Sequence, residues 1–273
     1  MAQRPNNTTI LLPCNSTFGV DAIIAFALPI SCAFDASLTI FAMGSEKLME
    51  ELQSAIQQKL KKEKIQNHFR FLQIDTLFNA QEVMVKNHLD EEVIMVIFPE
   101  LPTSYLSQRK FISRSRKLRL PFIVLPQQSS EKWIPQNIIM PISHNRSDKE
   151  AAIWVSYWAR FNQSRIILLT AQDKDSSATS NINLNVRFID KLFKNLNISY
   201  QVIEENCSSY KIGDAAVKRA AELKNSLVAI TTTKYYSVKH LFISPRELLL
   251  IKNNANVPIF CINPRKDLYV LCN

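Results

Sequence analysis

The chain has 273 residues, 47% hydrophobic and 21% charged, with a net charge of +9. Those proportions exclude disordered and fibrous classes, and the length predicts two domains of about 135 residues, each able to bury its own core. The 33 Lys and Arg residues are scattered and form no recognition motif, so nucleic-acid binding is not expected.

The polar start at Met1 lacks the layout of a signal peptide and suggests a free-standing protein. Residues 22–34 form the longest apolar stretch, too short to span a bilayer and interrupted by Pro29. A buried helix is predicted there, with no membrane insertion and a cytoplasmic location. In chain order, continuous apolar runs predict strands over 9–14, 36–43, 69–74, 92–98 and 121–125, as in a sheet covered on both faces. Longer periodic segments predict helices over 18–33, 46–63, 77–89 and 105–118. Ser45 is placed to cap the second of these, and the cations from Lys59 to Lys64 complement its C-terminal dipole.

A polar stretch from Gln127 to Lys132 marks a join. It predicts domains over 1–128 and 137–273, with a linker at 129–136. Beyond it the pattern repeats: strands over 137–142, 164–170, 199–204, 226–231 and 257–262, and helices over 147–162, 181–196, 212–224 and 242–253. Asp148 is expected to cap the first of these helices. Residues 173–180 read as a flexible surface loop. Trp154, Tyr157, Trp158 and Phe161 fall at helical spacing and predict core or inter-copy packing. The apolar tail from Leu268 to Leu271 is a candidate for docking on the body.

The two halves are copies. Ile10-Leu11-Leu12-Pro13 recurs as Ile138-Ile139-Met140-Pro141, and the same ungapped register carries Phe26 onto Trp154 and Ile30 onto Trp158. Each half ends in a Pro-led strand, at Pro121 and Pro258, with a serine at equal distance before it, Ser107 and Ser244. Alternating strands and helices in each copy predict a parallel α/β sheet built from βαβ units.

A Pro-terminated first strand, an Ala- and aromatic-rich first helix, and a Pro-led last strand resemble the universal stress protein family in tandem form. The resemblance implies two Rossmann-like, adenine nucleotide α-hydrolase-like domains, each a five-stranded parallel sheet in the order 3-2-1-4-5 with helices on both faces. It also implies pairing through the last strands, here as an internal pseudo-dimer. Some members are soluble tails of membrane antiporters. Many bind ATP, using an acidic residue two places after the first strand's proline and a glycine-rich phosphate loop after the fourth strand.

This chain departs from both motifs. Asn15 and Ser143 stand at the acidic position, and neither supplies a carboxylate. Only three glycines exist, Gly19, Gly44 and Gly213, and none follows a fourth strand. The loops there read Phe98-Pro99-Glu100-Leu101-Pro102 and Thr231-Thr232-Thr233-Lys234-Tyr235-Tyr236, where bare backbone is needed. Candidate ligand contacts are therefore Asn15, Ser107, Ser143, Thr232, Lys234 and Ser244, although Ser107 and Ser244 read first as helix caps.

No cofactor is expected, although ATP or AMP is the natural test ligand. The five cysteines, Cys14, Cys32, Cys207, Cys261 and Cys272, show no CxxC or zinc spacing; reduced, mostly buried thiols are expected, with Cys272 the most exposed. Ser143 and His144 adjoin, but no orienting acid is evident beyond a conjectural Glu150, so no catalytic residue is assigned. The expected function is a non-enzymatic stress-response or regulatory protein acting through a protein partner or self-association. One alternative is a sensor for a nucleotide or small anion in the second copy's crevice; another is a nucleotide hydrolase on the same scaffold, for which Cys14 to Gly19 offers a single glycine.

Overall fold

The computed structural model describes residues 8–17, 19–43, 45–63, 69–74, 92–99, 101, 104–117, 120–126, 135–233, 246–252 and 256–264. The helix expected over 77–89, the heart of the linker, the C-terminal tail, Gly44, Lys234 and Ser244 lie outside them. The chain divides into two compact units, one of residues 1–101 and 120–133, the other of 102–119 and 134–273. The segment between the first unit's last two strands clusters with the second unit.

In the first unit, strands β1 (Thr8–Cys14), β2 (Ser37–Met43), β3 (Phe69–Ile74), β4 (Glu92–Phe98) and β5 (Phe122–Val124) pair in parallel in the order β3-β2-β1-β4-β5. Helix α1 (Val20–Phe34) begins after Gly19, whose φ of 75° is a left-handed conformation that suits glycine. It buries Ile23, Ile24, Phe26 and Ile30 against the sheet and carries Pro29 inside it. Helix α2 (Glu46–Glu63) starts where Ser45 Oγ accepts the N–H of Leu48, at 3.4 Å, the cap that its sequence predicts.

The second unit repeats the plan with β6 (Asn137–Ile142), β7 (Arg165–Ala171), β8 (Tyr200–Glu205), β9 (Ser226–Thr231) and β10 (Ile259–Ile262), in the order β8-β7-β6-β9-β10 and all parallel. Helix α3 (Tyr105–Lys117), supplied by first-half sequence, belongs to this unit and packs on α7 (Arg246–Lys252). Helices α4 (Ala151–Asn162) and α5 (Ser176–Asn195) pack on each other, as do α6 (Ile212–Glu222) and α7. Leftward and rightward right-handed crossovers place these pairs on opposite faces. Among the described residues no helix is long and apolar enough to cross a membrane.

Four local expectations are corrected or refined. Residues 176–180 are the first turns of α5, not loop: Asp175 caps them by accepting the Ala178 N–H at 2.7 Å, so a run poor in apolar residues is nucleated by its cap. Asp175→Ala should cost about 1 kcal/mol, read as a lower midpoint in urea unfolding. Asp148 does not cap α4; it lies in a 3₁₀ turn (Asp148–Glu150) and makes no capping bond. Cys32 is exposed, whereas Cys14 and Cys261 are buried and Cys207 is intermediate; Cys272 lies outside the described residues. The aromatic stripe of α4 is split, with Trp158 fully buried and Tyr157 and Phe161 40% and 52% exposed.

Candidate functional site

The prolines of the two first strands mark where each sheet opens. Pairing of β6 with β9 stops at Ile139, and pairing of β1 with β4 stops at Leu11, while pairing to β7 and β2 runs on past Pro141 and Pro13. Proline has no N–H for a ladder, and here each stands where its strand has parted from one neighbour. The order reverses at this point, and open α/β sheets form their ligand crevices there. In the second unit the crevice is lined by Pro141, Ser143, Asp148, Thr231, Arg246 and Glu247, among others.

Hydrogen bonds within the protein occupy its polar groups. Asp148 Oδ2 accepts both the N–H and the hydroxyl of Ser143, each at 2.7 Å, and Oδ1 accepts the hydroxyl of Thr231 at 3.1 Å. The carboxylate missing at position 143 is thus brought to it from five residues on. In the first unit, Val20 stands at the matching place and supplies none, and Asn15 is exposed. Burial pushes the Asp148 carboxyl up; the Ser143 hydroxyl and N–H, the Thr231 hydroxyl and the charge of Arg246 pull against it. Asn185, buried on α5, ties the loop by donating to the carbonyls of Ser143 and Asn145.

The three threonines at and just beyond the end of β9 point to three different partners. Thr231 binds Asp148, Thr232 donates to Asn263 Oδ1 at 2.8 Å, and Thr233 donates to Glu247 Oε2 at 3.2 Å. Arg116 of α3 reaches the same place, giving Nε–H to Glu247 Oε1 at 2.5 Å and a second N–H to Thr233 Oγ1 at 2.5 Å. Thr232, a candidate ligand contact, is 2% exposed and holds the end of β10 instead of facing the crevice. Ser107, another, is the third residue of α3: Ser104 is the cap, accepting the Ser107 N–H at 3.2 Å and donating its hydroxyl to Ser107 Oγ. Of the six candidates, only Ser143 lies on the crevice wall among the described residues.

Beside the crevice, Ser209 joins three loops. It donates its N–H and hydroxyl to Asp173 and accepts the His144 N–H at 2.9 Å, while its carbonyl accepts from Arg246 at 2.7 Å. The acid near His144 is therefore Asp173, with Oδ2 3.5 Å from Nδ1, and not Glu150. The Ser143 proton goes to Asp148 and not to His144, so the adjacent pair is not a nucleophile and its base in this arrangement. Asp173 is held below the usual carboxylate range chiefly by the Ser209 hydroxyl, then by the Ser209 N–H and by His144, against desolvation. A depressed carboxyl stabilises the fold above its unfolded pKa, near 3.9, and the contribution fades as pH falls through its folded value. Unfolding of wild type and Asp173→Asn should therefore differ most near neutrality and converge as the solution is acidified below about pH 4.

Among the described residues no group of three or more His, Cys, Asp or Glu could hold a metal ion. The buried thiol of Cys14 is pushed up to about 12 by desolvation, which leaves it a poor nucleophile.

No protein-family model and no curated protein matches the sequence. Solved structures match over nearly the whole chain. A functionally unknown protein from Pseudomonas aeruginosa PAO1 superposes with a TM-score of 0.62 at 10% identity, covering 96% of this chain and 95% of its own. A universal stress protein from Archaeoglobus fulgidus gives 0.58 at 10% identity, covering 94% and 98%. The cytoplasmic domain of a prokaryotic cation chloride cotransporter gives 0.51 at 11%, covering 93% and 94%. At such identities the likeness is one of fold: this chain has the tandem α/β fold that universal stress proteins adopt.

Proposed function

We propose that the chain is a diverged tandem universal stress protein, non-enzymatic and regulatory, working in the cytoplasm through protein contacts or self-association through its last strands. It does not hold ATP in the usual way. The observation that carries this reading is the filled crevice of the second unit. Its cavity is about 40 Å³, room for a water or two, where a nucleotide-sized pocket takes roughly 300 Å³ or more. The hydroxyls that could meet a phosphate already bind carboxylates, which would repel one. In the first unit Pro99 stands where the phosphate loop would need bare backbone and a donor.

Thermal unfolding with ATP, ADP and AMP tests the proposal. The expected result is no saturable rise in the midpoint for any of the three. Ligand at 100 times its Kd would add about 2.7 kcal/mol of stability, so a rise that grows with ATP concentration would overturn the reading. Arg246, which lines the crevice, favours one alternative: a small-anion sensor in the second unit. Phosphate or sulfate stabilising the wild type but not Arg246→Gln would favour it.

A further inference from the structure

Glu247 is 2% exposed and lines the crevice, yet its charge partner comes from the first half of the sequence. Arg116 lies 131 residues away along the chain, on α3, and its side chain is 8% exposed. Its guanidinium bridges the two groups that fix the wall, the carboxylate of Glu247 on α7 and the hydroxyl of Thr233 just after β9. The preceding residue of α3 adds a second hold: the Ser115 carbonyl accepts from Asn263 Nδ2 at 3.0 Å, and Asn263 in turn accepts from Thr232. Two successive residues of one helix thus govern two successive threonines of the segment that, in this fold, follows the fourth strand.

We infer that Glu247 and Thr233 form a guanidinium-binding seat, filled in cis by Arg116, and that filling it makes α3 a strap holding the crevice wall closed. A planar guanidinium matches the seat because it gives parallel N–H donors to a carboxylate and a neighbouring hydroxyl; an ammonium cannot reproduce that fork. With α3 displaced, the seat presents a buried carboxylate and accepts an arginine side chain from another protein. The inference builds on the reading that the crevice is closed to nucleotides, but it concerns what closes it.

Hydrogen exchange on the full-length protein tests it without any nucleotide, so it stands or falls separately from ATP refusal. In Arg116→Ala, amides of 231–233 and 246–252 should exchange at least tenfold faster, while β7 and β8 keep their protection. Methylguanidinium should slow that exchange again in a saturable way, and should do nothing in the Arg116→Ala, Glu247→Gln double variant. Should Arg116→Ala fail to fold, Arg116→Lys carries the test: it keeps the charge, loses the fork, and should show a smaller acceleration over the same amides. Unchanged exchange at 231–233 in either folded variant, or equal rescue of the double variant, would overturn the inference.

Discussion

Glu247→Ala should lower the stability of the second unit by about 3–5 kcal/mol, because it removes the carboxylate paired with a buried guanidinium. Arg116, 8% exposed, would lose the carboxylate that accepts its Nε–H, and Thr233 would lose its own acceptor. For a unit of this size the loss corresponds to a fall of on the order of 10 °C in the unfolding midpoint. Glu247→Gln should cost less, since the amide oxygen still accepts. Replacing the pair together, as Arg116→Met with Glu247→Leu, should be close to neutral, because the desolvation of two charges disappears with their attraction. A double-mutant cycle read by calorimetry separates these terms. Additive single effects would show that the two side chains do not act as one pair.

The fold was legible because its signals are periodic and local. Apolar runs at even intervals give the parallel strands of each unit close to where periodicity puts them, and the matched prolines, Pro13 and Pro141, identify the same parting of strands in both units. The crevice was harder to read. Its position follows from those prolines, but the partners of its side chains do not follow from spacing. Asp148 sits where a cap belongs, and only the course of the 3₁₀ turn shows that its carboxylate faces backwards to Ser143.

The three threonines look alike in sequence and as a group suggest a ligand loop, yet each ends on a different element. Arg116 and Glu247 belong to different copies, and no local rule joins residues so distant. The helix missed over 176–180 has the same origin in reverse: the composition there is that of a loop, and one capping carboxylate, Asp175, is enough to start a helix. A signal was available for Ser104, which precedes Ser107 by three residues just ahead of an amphipathic run, the spacing of an N-terminal cap.

Trp158→Ala is the other substitution expected to be severe, at about 3–5 kcal/mol. The side chain is fully buried on the inner face of α4, and its ring lies 5.9 Å from that of Phe260 on β10, centroid to centroid. Trp154, one turn earlier, meets the same ring edge-on at 6.4 Å. Phe260 is thus clamped by two indoles, and α4 is fixed over β10 as well as over its own strand β6. Truncation leaves a cavity that its neighbours close only in part, since the strands beneath α4 are held in place by their ladders. Phe161→Ala provides the contrast, because a ring 52% exposed should lose less than about 1 kcal/mol on truncation. The pair separates the two faces of one aromatic stripe, and chemical denaturation of both variants reads the difference. Comparable losses would mean that Phe161 is covered in solution by a surface that its exposure does not reveal.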